Sequence, residues 1–164
     1  MYPFRKILVA TEFDSSSRGA LDLGSGLARE YAAELVIAHS IEIFVPTYPI
    51  AMMPELSSIE GQAKVGLDRV VERIEAVWPR VEGVLLWGSP AEQIIRYAEQ
   101  HEIDLVVVGT HGRKGPSRWL LGSVAERVTR WCPTPVLTVH EGDDQGRRRL
   151  AGGDELEEVR PLTT

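Results

Sequence analysis

The sequence predicts a doubly wound α/β fold, a parallel sheet with helices on both faces, on two observations. Five short runs rich in β-branched residues are apolar without interruption. Stretches with helical spacing lie between them. Strand then helix repeats along the chain, with no helix after the last strand, and that alternation gives a parallel sheet.

The first run is Ile7-Leu8-Val9-Ala10, unbroken by polar residues and so suited to burial on both faces. In the helix expected after it, Ala20, Leu23, Leu27 and Tyr31 fall on one face. Asp14, with Ser15 to Ser17, supplies N-capping side chains for that helix. The second strand is Leu35-Val36-Ile37-Ala38-His39. A long connection is expected over residues 44–58, with prolines at 46, 49 and 54 and methionines at 52 and 53. Leu67, Val70, Val71 and Ile74 then mark a second helix, and Val84-Leu85-Leu86 a third strand. Ala91, Ile94, Ile95 and Ala98 mark the third helix, and Leu105 to Val108 the fourth strand. Leu121, Val124, Ala125 and Val128 mark the fourth helix, and Val136 to Val139 the last strand.

The chain has 164 residues, enough for one domain of ordinary size, and 43% of them are hydrophobic. The longest uncharged stretch, residues 43–54, is 12 residues and holds three prolines, too short for a membrane-spanning helix. The amino end lacks a secretory pattern, and the lone Cys132 allows no internal disulfide framework. Both point to the cytoplasm. A net charge of −6 gives no reason to expect a nucleic-acid partner. Residues 1–140 form the expected domain. Residues 141–164, with 7 acidic and 4 basic residues and few apolar groups, are expected as a flexible tail with a helical turn near 154–159.

In doubly wound sheets ligands bind beyond the carboxyl ends of the strands, where strand order reverses. The segment after the fourth strand, Gly109-Thr110-His111-Gly112-Arg113-Lys114-Gly115, carries the strongest signal. Its glycines let main-chain amides approach an anion, and Arg113 and Lys114 add positive charge. Gly122-Ser123 opens the last helix, where free N–H groups favour an anion. The same glycines also serve as turn residues and Ser123 as a cap, and spacing alone does not choose between the two.

Several motifs in order make the chain resemble the universal stress proteins. Gly109-x2-Gly112-x9-Gly122-Ser123 matches that family's ATP-binding signature, and the likeness runs from residue 4 to 140. Ile7 to Asp14 is similar to its ILVPTDFS, Ala38-His39-Ser40 to its LHV, and Gly88 to Ile94 to its G-x-P-A-x-x-I. Asp104 to Arg113, Gly122 to Val128 and Cys132 to Leu137 complete the match.

The resemblance implies a five-stranded sheet in the order 3-2-1-4-5 and an ATP-binding, nucleotide-dependent regulatory protein of the stress response. It implies that Ala10, Thr11, Glu12 and Ser40 meet the adenine and ribose, partly through main chain. Gly109, Thr110, His111, Gly112, Arg113, Lys114 and Gly115 would wrap the ribose and phosphates. Gly122, Ser123 and Val124 would hold the terminal phosphates, and Mg²⁺ would ride on them. It further implies a homodimer through Val136–Val139, an edge strand open to pairing. Two departures stand out. Glu12 and Ala10 replace the family's Asp and Pro, and Ser40 replaces its hydrophobic residue.

No base is evident beside the phosphate loop, so at most weak ATP hydrolysis is expected. The alternatives are a slow ATP hydrolase or autophosphorylating enzyme, or a dimeric interaction scaffold without bound ATP, its pocket empty or holding another nucleotide or metabolite. His39 reads as a hydrogen-bonded core residue and His101 as exposed at a helix end. His111 reads as a surface or capping residue. The four histidines lack metal-ligand spacing. Cys132 reads as inert and the tryptophans at 78, 87, 119 and 131 as packing groups. A Walker loop, a G-x-G-x-x-G fingerprint and a receiver's acceptor Asp are all absent from the sequence.

Overall fold

The computed structural model describes residues 4–42, 54–110 and 122–140. Among these, β1 (Lys6–Ala10), α1 (Ser15–Tyr31), β2 (Glu34–Ile41), α2 (Pro54–Glu75) and β3 (Val81–Trp87) form the first half. Then come α3 (Pro90–Gln100), β4 (Leu105–Gly109), α4 (Ser123–Trp131) and β5 (Val136–Val139). His111, Gly112, Arg113, Lys114, Gly115, Trp119, Leu121 and the tail reading at 141–164 lie outside the described residues.

The strands form one parallel sheet in the order β3-β2-β1-β4-β5, as the resemblance implies. Strand alternation splits its side chains into two cores. Ile7, Val9, Leu35, Ile37, Leu105 and Val107 pack with α1 and α2 on one face. Leu8, Val36, Ala38, Val106 and Val108 pack with α3 and α4 on the other. Both faces of the central strands are thus sealed from water, which is why their sequence is apolar throughout. At the amino ends of the strands, the Asp104 carboxylate accepts the Arg5 and Lys6 amides at 2.7 and 2.9 Å and ties β1 to the start of β4.

Three expectations need correction. Residues 54–58, expected in the long connection, belong to α2. Proline is tolerated at a first helical position because that amide has no intrahelical partner, so Pro54 opens the helix instead of delaying it. The face of α1 is also rotated. Tyr31 is exposed, and the stripe against the sheet is Ser17, Ala20, Leu21, Gly24 and Ala28. Small residues let this helix lie close on β1, with Leu23 and Leu27 flanking the contact. Finally, Trp131 is 68% exposed and Trp87 39%, so neither is a packing group. Trp78 is one, and its indole N–H donates to the Ala33 carbonyl.

Gly24 and Gly26 sit in the same helix with opposite surroundings. A Cβ at Gly24 would run into Val9 Cγ2 in the core, whereas one at Gly26 would meet nothing within 4 Å. Gly26→Ala is expected to stabilise the fold by about 0.5–1 kcal/mol through backbone entropy. Gly24→Ala is expected to destabilise it, because overpacking of about 1–3 kcal/mol outweighs the same gain. Urea unfolding of the two variants checks the opposed signs.

Candidate functional site

β1 ends at Ala10, whereas β2 continues to Ile41 paired with β3. From β1 the chain winds outward to β2 and β3, then returns to β4 on the other side. The reversal opens a crevice of about 620 Å³ beyond the carboxyl ends of the strands, within the size range of small-molecule sites. Ala10, Ala38 and Val108 lie along its floor, with Pro90, Ile94 and Ala125 from the two helices of that face. Thr11, Glu12, Phe13, His39 and Ser40 line its first end, and Gly109, Gly122, Ser123 and Val124 its second. Neighbouring strands stand roughly 4.8 Å apart, so the two ends, on β2 and beyond β4, are separated by about 10 Å.

The second end is built around the start of α4. The Gly122 amide donates to the Thr110 carbonyl at 2.7 Å, and the Gly122 carbonyl accepts the Glu126 amide at 2.8 Å. Gly122 is the N-cap residue and gives no side-chain cap. The amides of Ser123, Val124 and Ala125 therefore stand at the crevice without an intrahelical acceptor, the arrangement in which a helix attracts an anion. Thr110 is buried, its amide donates to the Val139 carbonyl, and its hydroxyl shares a 2.9 Å hydrogen bond with His140 Nδ1. Thr110 is not among the crevice-lining residues. Its hydrogen bonds hold residue 122 against the ends of β4 and β5.

The first end is a tight turn. Asp14 caps α1 by accepting the Ser17 amide at 3.3 Å. The buried Ser17 hydroxyl donates to the same carboxylate at 3.1 Å and accepts the Glu12 amide at 2.9 Å. Phe13 takes φ +62, a left-handed conformation unusual for a bulky residue and worth about 1–3 kcal/mol of strain. Three contacts hold it there. Its amide donates to the Thr11 hydroxyl at 3.1 Å, its ring stacks on His39 at 4.1 Å, and its far side lies against Gly66 of α2. The His39 Nδ1–H donates to the Thr11 carbonyl at 2.8 Å, so His39 is a hydrogen-bonded wall residue. Glu12 projects from this turn as a half-buried residue lining the crevice.

Ser40 closes the same end from β2. Its hydroxyl donates to the Gly88 carbonyl at 3.1 Å, and the Gly88 amide donates to Ile41 at 3.0 Å. Gly88 sits at φ +123, where side chains rarely go. It turns the chain into Pro90 and α3, which carry the crevice wall.

The structure thus brings together Ala10, Thr11, Glu12, Ser40, Gly109, Gly122, Ser123 and Val124. Sequence reasoning missed Phe13, Ala38, Pro90 and Ile94. Alternation from Ala10 and Ser40 would have found Ala38, and the turn after the third strand Pro90. Phe13 lies in the segment just after the first strand, where ligands are expected, but no local signal marked its role.

Comparison with protein families matches residues 3–140 to the universal stress protein family. The chain belongs to that family. Universal stress protein YxiE of Bacillus subtilis is 33% identical, over 83% of this chain and 99% of its own. Universal stress protein UspA from Lactobacillus plantarum superposes with a TM-score of 0.73 at 25% identity, over 83% of this chain and 97% of its own. A universal stress protein solved in complex with cAMP superposes with a TM-score of 0.66 at 27% identity, over 85% of this chain and 99% of its own. The whole length of such relatives is therefore accounted for by the part of this chain that carries the sheet and the crevice.

Within this family member the turn at residues 11–17 is cross-braced, and its parts are expected to act together. Ser17→Ala removes a buried hydroxyl with two partners and is expected to cost about 1–3 kcal/mol. Asp14→Ala is expected to cost about 0.5–2 kcal/mol through the lost cap. Because the two share hydrogen bonds, a double-mutant cycle by urea unfolding should give a total smaller than their sum.

Proposed function

We propose that this universal stress protein binds ATP in the crevice and acts as a nucleotide-dependent regulatory module of the stress response. The observation that carries the reading is the start of α4, which turns the amides of Ser123, Val124 and Ala125 toward a crevice whose opposite end is apolar-floored. A triphosphate lies against those amides with the Ser123 hydroxyl as a further ligand. The base lies about 10 Å away over Ala10 and Ala38, where two strand spacings put it. Ala38 accepts the Thr11 amide on its β1 side. By alternation, the main-chain edge of Ser40 faces the side where β1 has ended, free to read a base. Glu12 stands where a ribose hydroxyl would be met. The relative solved with cAMP supports a nucleotide as the class of ligand.

Mg²⁺ fits this arrangement. The Glu12 carboxylate and Ser123 hydroxyl are hard oxygen donors on one crevice, and a phosphate-borne Mg²⁺ needs few protein ligands. When bound, the ion would offset phosphate charge.

The fold is also proposed to pair with a second copy through β5. That strand ends the sheet order, and Val136, Leu137 and Thr138 are only half-buried. Light scattering on eluting protein is expected to give twice the chain mass. A single-chain mass at micromolar concentration would remove the pairing.

Gly122→Asp separates binding from folding. Aspartate is a favoured N-cap, so the variant should fold with unchanged or slightly raised stability. The new carboxylate competes for the same amides and repels phosphate, so calorimetric ATP binding should fall at least a hundredfold. Unchanged ATP affinity in a folded Gly122→Asp variant would overturn the proposed seat.

A further inference from the structure

The proposed reading leaves open which base the first end accepts, and a single hydroxyl there has a fixed polarity. Ser40 and Ala38 are two apart on β2, so both side chains project to the face covered by α3 and α4. That is the face on which Ala10, Ala38, Pro90 and Ile94 line the crevice. Ser40 stands one step nearer the mouth than Ala38, at the rim of this apolar floor.

A hydroxyl has one proton and two lone pairs, and a carbonyl oxygen can only accept. The 3.1 Å contact between Ser40 Oγ and the Gly88 carbonyl therefore commits the serine proton to Gly88. The commitment is held from both sides. Gly88 is fixed at φ +123, and its amide donates to Ile41 of the strand that carries Ser40. Toward the crevice Ser40 Oγ offers lone pairs only.

We infer that the Ser40 hydroxyl is a specificity-determining acceptor, which selects a base with an exocyclic amino donor and disfavours one with a carbonyl at the same position. This rests on the proposal that a nucleotide occupies the crevice with its base at the β2 end. A 6-amino group meets a lone pair and forms a hydrogen bond. A 6-oxo group meets oxygen against oxygen, with neither proton available, and a desolvated acceptor is left without a partner. Ser40 departs here from the family's hydrophobic residue, so the discrimination is a property of this chain added to whatever its main chain reads.

The test uses three triphosphates that vary position 6 of the purine, on the full chain with Mg²⁺; the 6-oxo compound also carries a proton on N1, so the effect is read as the change in ratio on substitution of Ser40. ATP carries an amino group, inosine triphosphate an oxo group and purine riboside triphosphate hydrogen. Calorimetry on the wild type should rank ATP first and inosine triphosphate last. Ser40→Ala and Ser40→Val should each narrow the ATP-to-inosine-triphosphate ratio about three- to tenfold, the size of one hydrogen bond. Purine riboside triphosphate, which has neither group, should change less on either substitution than the ATP-to-inosine-triphosphate ratio does. Thermal melting establishes that each variant is folded, and Ser40→Val keeps a strand-forming residue at the site if the alanine variant is unstable. An ATP-to-inosine-triphosphate ratio left unchanged by both substitutions overturns the inference and leaves the ATP site standing. An equal loss for all three nucleotides also overturns it, since that is the mark of a merely structural serine. Failure of the wild type to bind any of the three overturns the ATP reading itself, and the inference with it.

Discussion

One hydrogen bond decides the geometry of the crevice, the 2.7 Å contact from the Gly122 amide to the Thr110 carbonyl. It joins the end of β4 to the start of α4 across residues 111–121. Thr110 is in turn fastened to Val139 and His140, so the anchor belongs to the sheet rather than to a surface loop. Four amides at a helix start have no intrahelical acceptor. Here the first is used to position the helix, and the next three are left facing the crevice. An anion seat made this way depends on where the helix begins more than on any side chain in it.

The opposite end obeys a different economy. There the chain leaves β1 through a strained Phe13, and the strain is held by contacts with Thr11 in the turn, His39 on β2 and Gly66 on α2. Strain of about 1–3 kcal/mol persists only where its surroundings over-determine it. The turn so fixed aims Glu12 at the crevice and frees Asp14 to cap α1. Ser40 and Gly88 perform the matching task on the next strands, linking the end of β2 to the entry of α3. The two ends thus belong to different elements that meet in one sheet.

Most of the architecture was legible because it follows from period. Runs such as Leu105 to Val108 are apolar throughout because both faces of their strands are covered, and of the residues their spacing selects α3 buries Ala91, Ile94 and Ala98 and α4 buries Ala125 and Val128. The strand order came from family resemblance, since no pattern within one strand says which neighbour it takes. The α1 face was misjudged because hydrophobic size was read as burial. The sheet contact is made by Ala20, Gly24 and Ala28, whose advantage is their smallness. At the site, glycine spacing left Gly122 and Ser123 open between an anion seat and a plain helix start, and the family resemblance pointed to them and to Ser40 at the β2 end. Phe13 was invisible because its role depends on a positive φ and on a helix some fifty residues further along, neither of which leaves a local trace.

A crevice built from main-chain amides and an apolar floor favours binding over turnover. Amides that hold phosphate oxygens in the ground state hold them about equally as the bond to phosphorus breaks, and such uniform binding does not lower the barrier. Acceleration needs a group whose contact strengthens in the transition state, such as a base aligned on water. Among the described residues lining the crevice the carboxylates are those of Glu12, which follows β1 one strand spacing from the end of β4 and whose main chain is fastened to Ser17, and Glu42, just past β2. Binding energy not spent on chemistry appears as stabilisation of the bound conformation, about 2.7 kcal/mol at a ligand concentration one hundred times the dissociation constant. It would act on the elements a bound nucleotide bridges, the turn after β1 and the start of α4. A nucleotide that spans both ends makes their relative position depend on its presence, and that dependence is the physical content of a regulatory module.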